Sequence, residues 1–153
     1  MSSVKRPSRT PPPPDLLLWS AMQETKVIPT DLQAARSFAE EFLGKIAAEG
    51  FSDGELFAVR LALEEALINA IKHGNRADPD KSITIATEMD DDTVAITVTD
   101  EGEGFDPGHL PDPTADENLE KPSGRGIMLM RVYMDEVSFN KTGNQVRMVK
   151  QRV

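Results

Sequence analysis

The sequence predicts an α+β two-layer sandwich, a mixed and mainly antiparallel sheet with helices packed on one face. Three observations predict it. Two long segments repeat apolar residues at helical spacing. Two pairs of strand-like segments are each joined by a short turn. The element order is strand, two helices, two strands, a long loop, a helix and two strands, and helices stacked on one face of a sheet fit that order.

Residues 1–14 are rich in Pro, Ser and Arg and end in four prolines, so a disordered or polyproline tail is expected, with one domain over residues 15–153. Leu16 to Val27 is apolar enough for a first strand at a sheet edge. Thr30 and Asp31 signal a helix start. Leu32, Ala35, Phe38, Ala39, Phe42, Leu43 and Ile46 then recur at helical spacing until Gly50. A second helix begins near Ser52-Asp53, where Glu55 completes a capping box with Ser52. Its apolar face runs through Leu56, Val59, Leu63, Leu67, Ala70 and Ile71, and Gly74-Asn75 stops it.

Ser82–Glu88 and Thr93–Thr99 alternate with period two around the turn Asp90-Asp91-Asp92. Residues 106–123 carry four prolines and no periodicity, the mark of a long functional or disordered loop. Gly126 to Tyr133 reads as a third helix. Glu136–Asn140 and Gln145–Gln151 close the chain as a hairpin around Lys141-Thr142-Gly143-Asn144.

Composition excludes several function classes. The chain has 153 residues, enough for one domain with its own core, and 39% hydrophobic against 28% charged residues is ordinary for a soluble protein. With no cysteine there is neither a disulfide framework nor a thiolate metal site. No apolar run approaches the roughly 20 residues of a membrane helix, and prolines stand where a signal peptide needs its apolar stretch. A cytoplasmic protein with no membrane contact is expected. The net charge is −9, and between Asp80 and Glu120 there are 13 acids against one base, Lys81. Nucleic acid is therefore not expected as a partner. That surface is either a solvated face or a meeting place for a basic protein.

Three short boxes carry chemistry. In the first, Glu65, Asn69 and His73 are four residues apart and stack along one helix face. The side-chain carbonyl of Asn69 suits Mg²⁺, a hard ion that takes oxygen ligands and keeps waters. Glu65, one turn earlier, can accept a proton near a phosphate as a general base. His73 either complements the helix dipole or supports the site. In the second box, Asp100 ends a strand and is followed by Gly102 and Gly104. Its carboxylate can accept from an exocyclic amine such as that of adenine. In the third, Ser123, Gly124, Arg125, Gly126 and Ile127 open a helix whose free N–H groups can hold phosphates. The pattern is not a P-loop, since no Gly-Lys-Ser/Thr follows.

In this order the boxes resemble the ATP-binding domain shared by gyrase, heat-shock chaperones, histidine kinases and mismatch-repair proteins, the GHKL superfamily with its Bergerat fold. Glu65-x-x-x-Asn69 is similar to that family's N box, Asp100-x-Gly102-x-Gly104 to its adenine-binding box, and Gly124-x-Gly126 to the glycine box ending its ATP lid. The resemblance spans Leu16 to Val153. Within the superfamily the chain looks most like the small anti-sigma factor serine kinases, whose N box also continues to His-Gly, as in His73-Gly74.

That resemblance implies a histidine-kinase-like ATPase fold and an ATP- and Mg²⁺-dependent kinase. It implies phosphorylation of a serine or threonine on an anti-anti-sigma protein, sequestration of a sigma factor, and a homodimer. Those kinases tend to carry an arginine immediately before the Ser-Gly-x-Gly of the lid. Here the position is Pro122, with Lys121 and Arg125 as the nearby cations that can reach the γ-phosphate. Two other readings stand beside it: an ATP-binding regulator that sequesters a partner without kinase activity, and a stand-alone histidine kinase catalytic domain.

Overall fold

A computed structural model describes residues 22–104 and 124–153. Its elements are β1 (Met22–Pro29), α1 (Leu32–Ala48), α2 (Asp53–Asn69) continued by a π-helical turn (Ala70–Gly74), β2 (Ser82–Met89), β3 (Thr93–Thr99), α3 (Gly124–Tyr133), β4 (Glu136–Phe139) and β5 (Gln145–Gln151). The proline-rich tail, Leu16–Ala21 of the expected first strand, and the long loop lie outside the described residues.

Local chemistry sets the boundaries. Asp31 caps α1 by accepting from the Ala34 amide at 2.9 Å. At α2 the expected capping box is present: Ser52 Oγ accepts from the Glu55 amide at 3.1 Å, and Glu55 Oε1 accepts from the Ser52 amide at 2.7 Å. Asp90 Oδ1 accepts from the amides of Asp92 and Thr93 and so closes the β2–β3 turn. Asn140 Oδ1 does the same for Gly143 and Asn144 between β4 and β5.

The five strands follow the order β1-β2-β3-β5-β4, which places β1 at an edge as expected. All four described pairings are antiparallel, so the sheet is simpler than the mixed one the sequence suggested. The reason is topological. β3 and β4 both run antiparallel to β5, so they are parallel to each other, as a helical crossover through α3 requires. β5 returns between them and prevents a parallel pair from forming.

Alternation along the strands buries Ile83, Ile85, Val94, Ile96, Val98, Val146 and Met148 in one core with the helices. α2 contacts both α1 and α3. It therefore buries Ala58, Ala62 and Ala66 in addition to the expected Val59, Leu63 and Leu67. Among the described residues no helix is long and apolar enough to cross a membrane.

Glu55 is buried beyond what a capping role needs. Its Oε2 also accepts from the Val153 amide at 2.6 Å, tying the chain's last described residue to α2. Burial pushes its pKa up, but the amides of Ser52 and Val153 and the Ser52 hydroxyl outweigh that and hold it below the usual glutamate range. Such a carboxylate contributes stability above the unfolded-state pKa, and the contribution is lost as pH falls through the lowered folded-state value. Glu55→Ala is expected to cost about 1–3 kcal/mol in urea unfolding at neutral pH. The gap to the parent chain should narrow on acidification, and a gap independent of pH would refute the assigned role.

Candidate functional site

The second half of α2 and its π-turn form one wall of an open cleft. Asn69, His73 and Gly74 line this wall. Asp100 and Gly104 line it from the end of β3 and the loop beyond, Met130 from α3, and Gly143 and Asn144 from the β4–β5 turn. Two of the three boxes thus face each other across one cavity.

The third box is joined to the first by a close approach. A methyl group on Gly126 would sit 2.6 Å from Glu65 Oε1 and 3.7 Å from Asn69 Nδ2. Glycine at this position lets the start of α3 lie directly against the Glu65–Asn69 stripe. α3 begins at Gly124, two residues earlier than its periodicity suggested, so Gly124, Arg125 and Gly126 belong to its first turn. Arg125 is exposed. The Ile127 side chain is buried in the core at 1% exposure, which leaves only its backbone for contact with a ligand. Lys121 and Ser123 lie outside the described residues.

The second box is pressed against the end of the first. A methyl on Gly74 would overlap the Asp100 carboxylate, and one on Gly102 would overlap the Gly74 carbonyl. The Gly102 amide donates to Asp100 Oδ1 at 2.8 Å. Asn144 holds the Asp100 backbone from the other side: Asp100 N–H donates to the Asn144 carbonyl at 2.9 Å, and Asn144 Nδ2 donates to the Asp100 carbonyl at 3.1 Å. Burial raises the pKa of Asp100, against the opposing pull of the Gly102 amide and the Lys81 charge.

His73 lines the cleft, and its Nδ1 is buried without a hydrogen-bond partner among the described residues. Asn144, Gly143 and Asn75 take part in building the site although the sequence marked them only as turn residues and a helix stop. No short-range signal distinguishes a turn that lines a cleft from one that faces water.

The arrangement fits a flat heteroaromatic amine beside Asp100, with an anion near the start of α3. Among the described residues no three His, Asp or Glu side chains converge as a metal cage. Mg²⁺ fits this donor set only where a single side-chain oxygen such as Asn69 Oδ1 is supplemented by phosphate and water.

Two glycines separate packing from chemistry. Gly126→Ala meets the flexible end of the Glu65 side chain, so the fold should survive while the carboxylate is displaced. With Glu65 as the general base expected from the sequence, phosphoryl transfer should slow on the order of 10- to 100-fold. Gly102→Ala meets backbone, so it should cost about 1–3 kcal/mol of stability and weaken nucleotide binding as well. Thermal melts and nucleotide titrations of both variants check this contrast, and equal destabilisation by the two would contradict it.

Comparison with known proteins points to one family. The family described as histidine kinase-like ATPase domain matches residues 26–150. A serine-protein kinase RsbW of Staphylococcus epidermidis is 30% identical over 115 residues, which cover 70% of this chain and 72% of that protein. An anti-sigma F factor of Geobacillus thermodenitrificans is 38% identical over 86 residues, 54% of this chain and 58% of that protein. An anti-sigma F factor of Clostridium perfringens is 31% identical over 122 residues, 69% of this chain and 86% of that protein. The crystal structure of the RsbU and RsbW domains of a Mycobacterium tuberculosis protein superposes with a TM-score of 0.57 at 18% identity. The match covers 86% of this chain but 31% of that one, and at this identity it speaks for the fold alone.

Proposed function

The chain belongs to the histidine kinase-like ATPase domain family, and on that premise we propose that it is an anti-sigma factor serine/threonine kinase, which transfers the γ-phosphoryl group of ATP to an anti-anti-sigma protein. The single observation that carries the reading is the mating of all three boxes: Gly126 against Glu65, Gly74 against the Asp100 carboxylate, and Gly102 against the Gly74 carbonyl. The names of the Staphylococcus, Geobacillus and Clostridium relatives support the choice of reaction and of partner.

In this reading Asp100 accepts a hydrogen bond from the adenine amine, and Gly104, at a φ of 81° and packed on the Thr142 carbonyl, holds the loop after β3 against the β4–β5 turn. The first-turn amides of Gly124, Arg125, Gly126 and Ile127 meet phosphate oxygens, with Arg125 adding positive charge and Lys121 and Ser123 completing the group. His73 offers Nδ1 to the same cleft. Asn69 supplies its carbonyl oxygen to Mg²⁺, which when bound neutralises developing charge on the phosphates. Glu65 takes the proton of the incoming serine or threonine hydroxyl as its oxygen bonds to the γ-phosphorus and the bond to the ADP oxygen breaks. Sequestration of a sigma factor, a homodimer, a cytoplasmic location and a single domain over residues 15–153 behind a tail of residues 1–14 belong to the same proposal.

Incubation of the purified chain with labelled ATP, Mg²⁺ and candidate antagonist proteins from the same genome tests it. Acid-stable phosphate on the partner is the expected product. Acid-labile phosphate would identify a histidine kinase catalytic domain instead, and nucleotide binding with no transfer to any partner would leave a sequestering regulator.

A further inference from the structure

Asn75 is fully buried, at 0% exposure, and every polar atom of its side chain is used. Its Nδ2 donates to Thr30 Oγ1 at 2.9 Å and to the Ser82 carbonyl at 2.9 Å. Its Oδ1 accepts from the Glu101 amide at 2.7 Å. The ring then closes on itself, because the Ser82 amide and hydroxyl donate to Glu101 Oε2 at 2.6 and 3.0 Å. Thr30 Oγ1 in turn donates to the Lys81 carbonyl at 2.8 Å.

Burying a primary amide in a protein core is unfavourable unless it is fully bonded, and an apolar side chain would fill the same space. The chain goes to some length to place it there. α2 widens into a π-turn, so the Asn75 amide bonds to the Ala70 carbonyl five residues back at 2.8 Å. Arg76 and Ala77 follow at φ of 51° and 58°, a region non-glycine residues avoid. What the Asn75 Oδ1 holds is the amide directly after Asp100, while the neighbouring Gly74 packs on the Asp100 carboxylate. Asn144 grips the same peptide segment from the opposite side.

We propose that Asn75 is a positioning residue that sets the Asp100 carboxylate in register for the nucleobase, and so governs nucleobase preference. The proposal rests on the assignment of Asp100 to the adenine amine. A merely structural tie between β1, β2 and α2 would lower stability without touching the choice of base.

The test is titration of Mg-ATP and Mg-GTP into the full chain and its variants, alongside nucleotide-free thermal melts. The parent should prefer ATP, and Asp100→Asn should lose that preference. Asn75→Ala and Asn75→Leu remove all three bonds and should weaken ATP by roughly tenfold or more with GTP little changed. Thr30→Val removes one partner of Asn75 Nδ2 and leaves the bond to the Glu101 amide, so it should lower the melt while keeping the preference, and it remains the deciding variant if the other two do not fold. A folded Asn75→Ala or Asn75→Leu with the parent's ATP-to-GTP ratio, or a Thr30→Val that loses it, overturns the positioning role alone. A parent chain indifferent to the base, or an Asp100→Asn variant that still prefers ATP, overturns the Asp100 assignment and the proposal with it.

Discussion

Replacing Glu65 by alanine is expected to slow phosphoryl transfer to the partner protein by on the order of 10²-fold or more while Mg-ATP remains bound. Glu65 sits one turn before Asn69 on α2, partly exposed, with its Oε1 against the start of α3. It does not line the cleft that Asp100 and Asn69 share. With Glu65 as the proposed base, its removal should act on the chemical step rather than on nucleobase binding. Asn69→Ala should fail differently, weakening the magnesium-dependent part of ATP affinity. Single-turnover transfer rates at saturating ATP, paired with ATP titrations with and without Mg²⁺, separate the two. A Glu65→Ala chain that phosphorylates its partner at the parent rate would remove this carboxylate from the mechanism.

Much of this was legible in the sequence because its signals are local. The Ser52–Glu55 capping box, the Asp90–Asp92 turn and the period-two runs are each decided within a few residues, and each appears at its expected place. The first box stood out through spacing, since Glu65, Asn69 and His73 fall on one face of a helix, whereas the set of three took its meaning from its order and from the family it resembles. What escaped was decided by distant parts of the chain. Glu55 reads as a cap but also binds the amide of Val153, 98 residues away. Ala58, Ala62 and Ala66 lie outside the apolar face read from the sequence but are buried because α2 is packed against both α1 and α3. Gly74-Asn75 reads as a helix stop, and it is one. The π-turn that swings the Asn75 amide under the Asp100 segment has no compositional trace, since it differs from an α-turn only in which carbonyl each amide finds.

The second large effect is expected at Asp100, and asparagine tests it more sharply than alanine. Asp100→Ala strips the only acceptor assigned to the adenine amine, which should weaken ATP by roughly tenfold or more. Asp100→Asn keeps the shape and can still accept from the Gly102 amide through Oδ1. The other end of its amide then presents a donor where adenine also presents a donor, so ATP should weaken at least as much. Guanine carries a carbonyl oxygen at that position and should gain relative to adenine.

The same substitution should stabilise the nucleotide-free chain. Burial raises the folded-state pKa of Asp100 above its unfolded value, against the opposing pull of the Gly102 amide and the Lys81 charge. Folding therefore favours the protonated form, and ionising the group costs stability as pH rises through the interval between the two pKa values. A neutral side chain escapes that cost at pH 7. ATP binding has the opposite pH sense, because only the ionised carboxylate is a full acceptor. Affinity should fall on acidification at a higher pH than an ordinary aspartate would give. Thermal melts of nucleotide-free Asp100→Asn at neutral pH, set beside ATP and GTP titrations across pH, read both halves of this trade. An asparagine variant that binds ATP as the parent does, with no gain in stability, would show that this carboxylate neither reads the base nor bears a cost for being buried beside it.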